Sequence, residues 1–360
     1  MRVSMLLAGL TLVLAPVAAP AQTAAEEPTF SAAEVRKHVE FLASDALEGR
    51  YTLSKGYLTA AAYVAERFAA LGLVPAPHTD AGWFQIAELP IAMGNPPRKR
   101  TFKAPNVIGM LPGSDPVLKN EYVVLSAHLD HVGLDPLRAG DKIYNGAMDN
   151  ASGVATMLET ARAFATSKQR PKRSILFVAL AGEESGLLGS NYLARNPVVG
   201  TGKVVADVNL DMPILLYDFQ DVIAFGGEHS TMGEVTARAG ARMGVSVSPD
   251  PMPEEDFFER SDHYSFVKVG VPSIFLMTGF KNGGEKAFRT FLAKNYHQPS
   301  DQTDLPFNWE AGAKFARLNY LIARDVADAP EAPRWYEGNR YGDRFAKGAP
   351  RAVRPTAAGK

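Results

Sequence analysis

A chain of 360 residues with 46% apolar content can bury one large core, and Lys and Arg (38) nearly balance Asp and Glu (39). The formal net charge of −1 supplies no basic field of the kind that holds nucleic acid or anionic lipid, which favours a small-molecule or peptide ligand. Cysteine is absent, so disulfides, thiolate-held zinc and thiol catalysis are excluded, and any metal site must use imidazole and carboxylate.

The first segment reads as an address: Arg2, an apolar run over 5–17, then Ala19-Pro20-Ala21 as a small-x-small site. Cleavage after Ala21 is expected. The run is short for a membrane span and no later segment offers one, so the mature protein is expected to be exported, secreted or periplasmic, and free of the membrane. Ser31 can cap a helix through Val35, Val39 and Leu42, and a second helix is expected over 57–71, stopped by Gly72. Residues 75–105 are Pro-rich and read as irregular, with an edge strand at 84–89.

From Asn106 onward, short apolar runs alternate with helical stretches. Buried strands are expected at 122–127, 174–181, 204–210 and 273–277, and helices near Ser152, near Thr231 and over 309–325. That alternation predicts an α/β three-layer sandwich, a mostly parallel sheet with helices on both faces. The last stretch, 331–360, is rich in Pro and Arg and reads as a partly ordered tail.

In open α/β sheets, ligands bind outside the carboxyl ends of the strands, and the unusual polar residues of this chain fall there repeatedly. One strand runs into His128 and Asp130, another into Glu183 and Glu184, and a third into Asp211; Asp149 stands at a helix start, and His297 lies beyond the last strand. Singly, a strand-end histidine is usually a surface residue, Asp149 a helix cap and Glu183-Glu184 a solvated face. Jointly they offer five ligands, one of them shareable between two zinc ions, with a carboxylate left to carry protons. No G-x-S-x-G elbow, H-E-x-x-H helix or G-x-x-x-x-G-K-[ST] loop competes.

The strings Ala127-His128-Leu129-Asp130, Met148-Asp149-Asn150-Ala151-Ser152-Gly153, Gly182-Glu183-Glu184-Ser185-Gly186, Asn209-Leu210-Asp211-Met212 and Tyr296-His297-Gln298-Pro299 resemble the co-catalytic zinc aminopeptidase family. That family includes bacterial leucyl aminopeptidases and glutamate carboxypeptidase relatives. The segment 42–50, ending in Leu47-Glu48-Gly49-Arg50, and the loop 260–266, with Ser261-Asp262-His263, are similar to further family segments, so the resemblance covers roughly 35–325. It implies a zinc exopeptidase-like fold, peptide substrates cut at the amino end, and two zinc ions. Asp149 would bridge them, with Glu184 and His297 completing one site and His128 and Asp211 the other. Glu183 would be the general base, Asp130 would hold the His128 imidazole in one tautomer, and the Tyr296 hydroxyl would donate to the developing oxyanion.

Two departures from the family pattern stand out. Met148 occupies a position where relatives often carry a second aspartate, and residues 280–295 exceed the expected link to His297, suggesting a lid hinged at Gly279, Gly283 and Gly284. The stretch 75–105 is too short for a protease-associated insert, so one catalytic domain is expected over 22–330. A carboxypeptidase, a glutaminyl cyclase with a single zinc, or a non-catalytic binding protein on the same scaffold are the alternatives. His263 reads as structural or pocket-lining, and His38, His78, His131 and His229 as surface or packing residues.

Overall fold

A computed structural model describes residues 27–93 and 97–355. The leader expected over 1–21 lies outside these residues, and no described helix is long and apolar enough to cross a membrane. Ser31 accepts a hydrogen bond from the Glu34 amide and opens α1 (Ala32–Leu42), which buries Val35, Val39 and Leu42 at the expected helical spacing. Ser54 caps α2 (Lys55–Ala70) in the same way through the Tyr57 amide.

The strands are β1 (Val74–Pro75), β2 (Phe84–Met93), β3 (Arg98–Leu111), β4 (Glu121–His128), the small pair β5 (Gly133–Leu134) and β6 (Ile143–Tyr144), β7 (Ser174–Leu180), β8 (Lys203–Leu210), β9 (Asp221–Phe225), β10 (Ser246–Ser248) and β11 (Ser273–Thr278). Nine of them form one sheet in the order β1-β3-β7-β4-β8-β11-β9-β10, with β2 also paired to β3. The centre, β7-β4-β8-β11, is parallel; β3 and β9 join it antiparallel. All four central strands therefore present their carboxyl ends along one rim.

Alternation along these strands fills two separate cores. Val123, Leu125 and Ala127 of β4, with Ile175, Phe177 and Ala179 of β7, belong to the larger cluster. There they pack with residues of α1, α2, α3 (Gly153–Thr166) and α8 (Trp309–Asp328). Val124, Leu176, Val178 and Leu180 turn the other way, with Leu193 of α4 (Leu188–Arg195) and Phe266 of α6 (His263–Val267). Strands buried on both faces read as continuous apolar runs, which is why their sequences were legible.

The structure corrects three expectations. Of residues 75–105, 76–83 are irregular, but the edge strand expected at 84–89 is present and longer, as β2, and it pairs with β3 from Phe84 opposite Val107 to Met93 opposite Arg98. The charged half of β3 stands exposed, which hid the strand behind a polar, Pro-containing sequence. Residues 280–295, expected as a lid hinged at Gly279, Gly283 and Gly284, form an ordered helical segment. They hold α7 (Gly284–Lys294), anchored by buried Phe288 and Phe291, and a Cβ on Gly279 would meet the Asp221 carboxylate at 2.2 Å, so that glycine serves close packing rather than motion. The stretch expected to be a partly ordered tail is packed through Ala352. Trp335 is buried with its indole N–H donating to the Gly270 carbonyl at 2.8 Å, and α9 (Arg340–Phe345) follows α5 (Met232–Ala241) and α8 in chain order.

Candidate metal centre

Three of the four central strands lead into donor residues on the same rim. His128 ends β4; Asp211 follows β8; Glu183 and Glu184 follow β7 across Gly182, which turns with φ 69°. Asp149 precedes α3 on a buried turn that begins at Gly146, its peptide bond to Asn150 is cis, and His297 comes from the loop between α7 and α8.

The donor atoms fall into two groups that share one residue. His128 Nε2 lies 3.2 Å from Asp149 Oδ1 and 3.1 Å from Asp211 Oδ1. His297 Nε2 lies 3.1 Å from Asp149 Oδ2 and 3.1 Å from Glu184 Oε2. The two oxygens of Asp149 thus face opposite groups. Ligands about 2.0–2.1 Å from a tetrahedral zinc are about 3.3 Å apart from one another, so these separations fit the edges of such a site, and nitrogen with carboxylate oxygen is a zinc donor set.

Electrostatics points the same way. Burial would depress His128, but Asp211, Glu183 and Asp149 around it raise its pKa well above the ordinary range. Burial opposes the charge on His297 too, yet the hydrogen bonds its ring donates to Asp149 and Glu184 lift it to about 10. The carboxylates draw positive charge to these two nitrogens, where a cation of either kind would satisfy them.

Glu183 lines the cleft beside His128, Asp149, Asp211 and Tyr296. Burial pushes its pKa well up, with His128 working against the shift and Asp211 adding to it. Among the described residues no side chain forms a hydrogen bond or ion pair with its carboxylate, so it is free to exchange a proton in the cleft. Tyr296 stacks on His297 at 3.9 Å between ring centroids, and burial together with the charges of Asp149 and Glu184 keeps its hydroxyl protonated.

Asp130 is placed differently from the expectation. Its carboxylate stands 3.9 Å from His128 Nδ1, while its backbone carbonyl accepts from that nitrogen at 3.1 Å and leaves Nε2 facing the ligands. The carboxylate instead accepts from the Thr52 hydroxyl at 2.8 Å and the Glu183 amide at 3.2 Å, and Thr52 in turn accepts from the Gly182 amide at 3.0 Å. Asp130 therefore pins the turn that carries Glu183.

Several supporting residues escaped sequence reasoning. Asp301, four positions past His297, takes the Met148 and Asp149 amides at 2.8 and 3.0 Å. Burial lifts its pKa to about 7. Arg50 is buried, and its guanidinium donates to the carbonyls of Leu42, Leu129, Asn145 and Gly146, tying the Asp130 and Asp149 loops together. Ser261 donates to Asp211 Oδ2 at 2.6 Å and accepts from Asn209 Nδ2 at 2.7 Å. Farther in, Ser126 Oγ lies 3.1 Å from Asn209 Oδ1 and 2.8 Å from Asp207 Oδ1. One hydroxyl proton cannot serve both acceptors, and the conflict vanishes when Asp207, whose pKa burial raises well above normal, is the donor to Ser126.

His131 was read as a packing or surface residue, and it is neither. It is fully buried, with Nδ1 2.8 Å from Glu184 Oε1 and 3.6 Å from Asp149 Oδ2. Its nearness to His128 in the same strand-end loop was the only signal. His263 is buried between Phe258 and Phe275 and has no part in either donor group. His38 packs with a 2.7 Å contact to the Tyr63 hydroxyl.

Comparison with known proteins identifies the family. A model described as Peptidase family M28 matches residues 106–323, more than half of the chain. The chain belongs to peptidase family M28. A probable zinc metalloprotease of Pyricularia oryzae is 32% identical over 264 residues, covering 63% of this chain and 51% of that protein. Leupeptin-inactivating enzyme 1 of Streptomyces exfoliatus is 29% identical over 181 residues, 48% of this chain and 36% of that protein. The chain thus spans about half or less of the curated relatives it matches. In structure it is similar to the Legionella pneumophila LapA aminopeptidase (TM-score 0.62, 20% identity, 84% of this chain and 73% of that one). It is equally similar to a Bacteroides thetaiotaomicron glutaminyl cyclase (TM-score 0.62, 19% identity, 83% and 99%). The fold is that of the zinc exopeptidases.

Proposed function

We propose that this M28 peptidase is a two-zinc aminopeptidase, releasing residues from the amino end of peptides. The observation that carries this reading is Asp149, whose two oxygens face two separate donor groups, while Glu183 lines the same cleft uncommitted to either. His128, Asp149 and Asp211 would hold one ion; Asp149, Glu184 and His297 would hold the other. Zinc so held supplies a water that ionises near neutrality and polarises the substrate carbonyl.

The chain's own residues do the rest. Glu183, held in its proton-binding range by burial, accepts the water's proton and returns it to the leaving amine. Tyr296, with its proton retained, donates its hydroxyl to the carbonyl oxygen as charge develops there. Met212, Phe257 and Phe275 line the same cleft and receive the side chain of the residue removed, while carboxylates of the donor groups attract the substrate's free ammonium. The likeness to aminopeptidases supports the reading; a cyclase working with one zinc has no use for the His128 and Asp211 pair. Peptides are the partners this implies, and export through the leader fits a digestive or scavenging role outside the cytoplasm.

The experiment is a panel of aminoacyl amides, free and N-acetylated, and of carboxyl-blocked peptides, run on purified protein with metal analysis of the same sample. Hydrolysis of the free amides alone, with two zinc ions per chain, is the expected result. Cleavage of N-acetylated substrates, or cyclisation of amino-terminal glutamine, would replace the reading. Amino-terminal sequencing of exported protein should start at or near Gln22; an intact leader would exclude cleavage there.

A further inference from the structure

Family resemblance accounts for three donors in the group around His297, and the structure puts a fourth nitrogen there. We propose that His131 is a positioning residue for that half of the centre. It donates a hydrogen bond from Nδ1 to Glu184 Oε1 and so commits the other carboxylate oxygen, Oε2, to the metal. The inference rests on the two-zinc reading above.

Three observations support it. The first is distance. His131 Nδ1 lies 2.8 Å from Glu184 Oε1, a usual charge-assisted N–H···O length and shorter than the roughly 3.3 Å that separates two ligands of one zinc. Glu184 Oε2 meanwhile faces His297 Nε2 at 3.1 Å, so the two oxygens of one carboxylate have different neighbours.

The second is the proton's location. His131 is fully buried and its Nε2 has no hydrogen-bond partner. A proton placed on Nε2 would leave that N–H unsatisfied and would also turn a bare Nδ1 lone pair toward carboxylate oxygens at 2.8 and 3.6 Å. With the proton on Nδ1, only a lone pair is left without a partner, and both carboxylates meet a donor.

The third is the framework that holds the ring. Gly146, with φ 61°, lies so close that a Cβ there would come within 2.6 Å of His131 Cγ and Cδ2. The carbonyls of Leu129, two positions before His131, and of Gly146 are both held by the Arg50 guanidinium at 3.0 Å. The ring meets His297 edge-on, at 5.6 Å between centroids. A side chain needed only to fill volume would not require a glycine and a buried arginine to aim one of its nitrogens.

The adjacent glutamates then differ for a stated reason: Glu184 is held by two histidines, Glu183 by none. The test compares His131→Leu with His131→Asn. Leucine and asparagine are nearly the same shape, and the asparagine amide can place a donor close to where Nδ1 stands, so the two variants leave the same space and differ in the hydrogen bond. Zinc affinity of each half is read by competition with a chromophoric chelator, beside circular dichroism to check folding.

His131→Leu should bind the metal of the Glu184 and His297 half about 10- to 100-fold more weakly, the usual effect of removing a group that orients a ligand, with the other half unchanged. His131→Asn should recover most of that loss. Wild-type affinity in the leucine variant, or equal loss in both, would overturn the inference. If the leucine variant does not fold, asparagine against wild type decides: affinity within about tenfold supports the role, and any larger loss overturns it. A wild-type chain that takes up no zinc would remove the two-zinc reading itself, before any variant is compared.

Discussion

The two donor groups proposed to hold zinc, the halves of the centre, are built on different supports. His128 and Asp211 stand at the ends of adjacent parallel strands, with side chains 2% and 8% exposed, and the Asp211 carboxylate is backed by Ser261, Asn209, Ser126 and Asp207 in succession. Glu184 sits on a turn, and His297, 37% exposed and at φ 53°, sits on a loop between helices. The first half inherits its geometry from the sheet, whereas the second depends on side chains recruited around it: His131 for Glu184, and Tyr296 stacked on His297. Asp149 belongs to both, and Asp301 fixes it through two backbone amides. The strand-end pair is backed through Ser261 by residues of the sheet itself, Asn209 and Asp207 of β8 and Ser126 of β4, and the loop-mounted pair by side chains from neighbouring loops.

The largest effect should come from the residue that belongs to neither half. Glu183→Gln keeps shape and removes only the proton acceptor, so both metals should stay while turnover falls by about 100- to 10,000-fold. Glu184→Gln should lose metal from the loop-mounted half, with activity partly restored by excess zinc. Plasma emission analysis beside turnover, on both variants, checks the assignment. Metal loss from Glu183→Gln with retention in Glu184→Gln would mean the roles are exchanged.

A smaller effect tests the comparison directly. If the sheet is the better scaffold, graded chelation should remove zinc in two steps, the loop-mounted ion first, separated by about tenfold or more in chelator strength. His297→Ala should shift the first step and leave the second in place; Ser261→Ala, which cuts the 2.6 Å hydrogen bond to Asp211, should shift the second. A single step, or a reversed order, would show that exposure of His297 does not set metal retention.

How much of this was legible follows the same division. The strands β4, β7, β8 and β11 announce themselves as apolar runs because both faces are buried, and the acids and histidines at their ends stand out against that background. β3 did not, because its exposed half is written in Arg, Lys and Thr, the composition of a loop. The supporting residues were hidden for another reason. Arg50, Asp301 and His131 act through contacts that only the fold creates, at sequence separations up to 153 residues. Asp130 shows the limit most sharply: the residue was visible, but sequence could not say that its carbonyl would hold His128 while its carboxylate held Glu183.

The subtlest test concerns the inner end of the chain behind Asp211. With Asp207 protonated, each link donates outward: Asp207 to Ser126, Ser126 to Asn209, Asn209 to Ser261 and Ser261 to Asp211. Burial, with a smaller contribution from Asp262, holds Asp207 neutral against the opposing Ser126 hydrogen bond. A carboxyl whose pKa is raised by folding stabilises the native state fully below its unfolded pKa of about 3.9, and that contribution is lost as pH rises toward the folded pKa, at about 1.4 kcal/mol per pH unit. Asp207→Asn supplies a donor that never ionises, so it keeps the chain and removes the pH-dependent loss. Urea denaturation should therefore find the variant and wild type similar near pH 4, with the variant gaining relative stability as pH rises above that value. A difference that does not change with pH, or one of the opposite sign, would mean that Asp207 is ionised in the native protein and that the hydrogen bonds run inward from Ser126, leaving the sheet-mounted half without its outward-directed support.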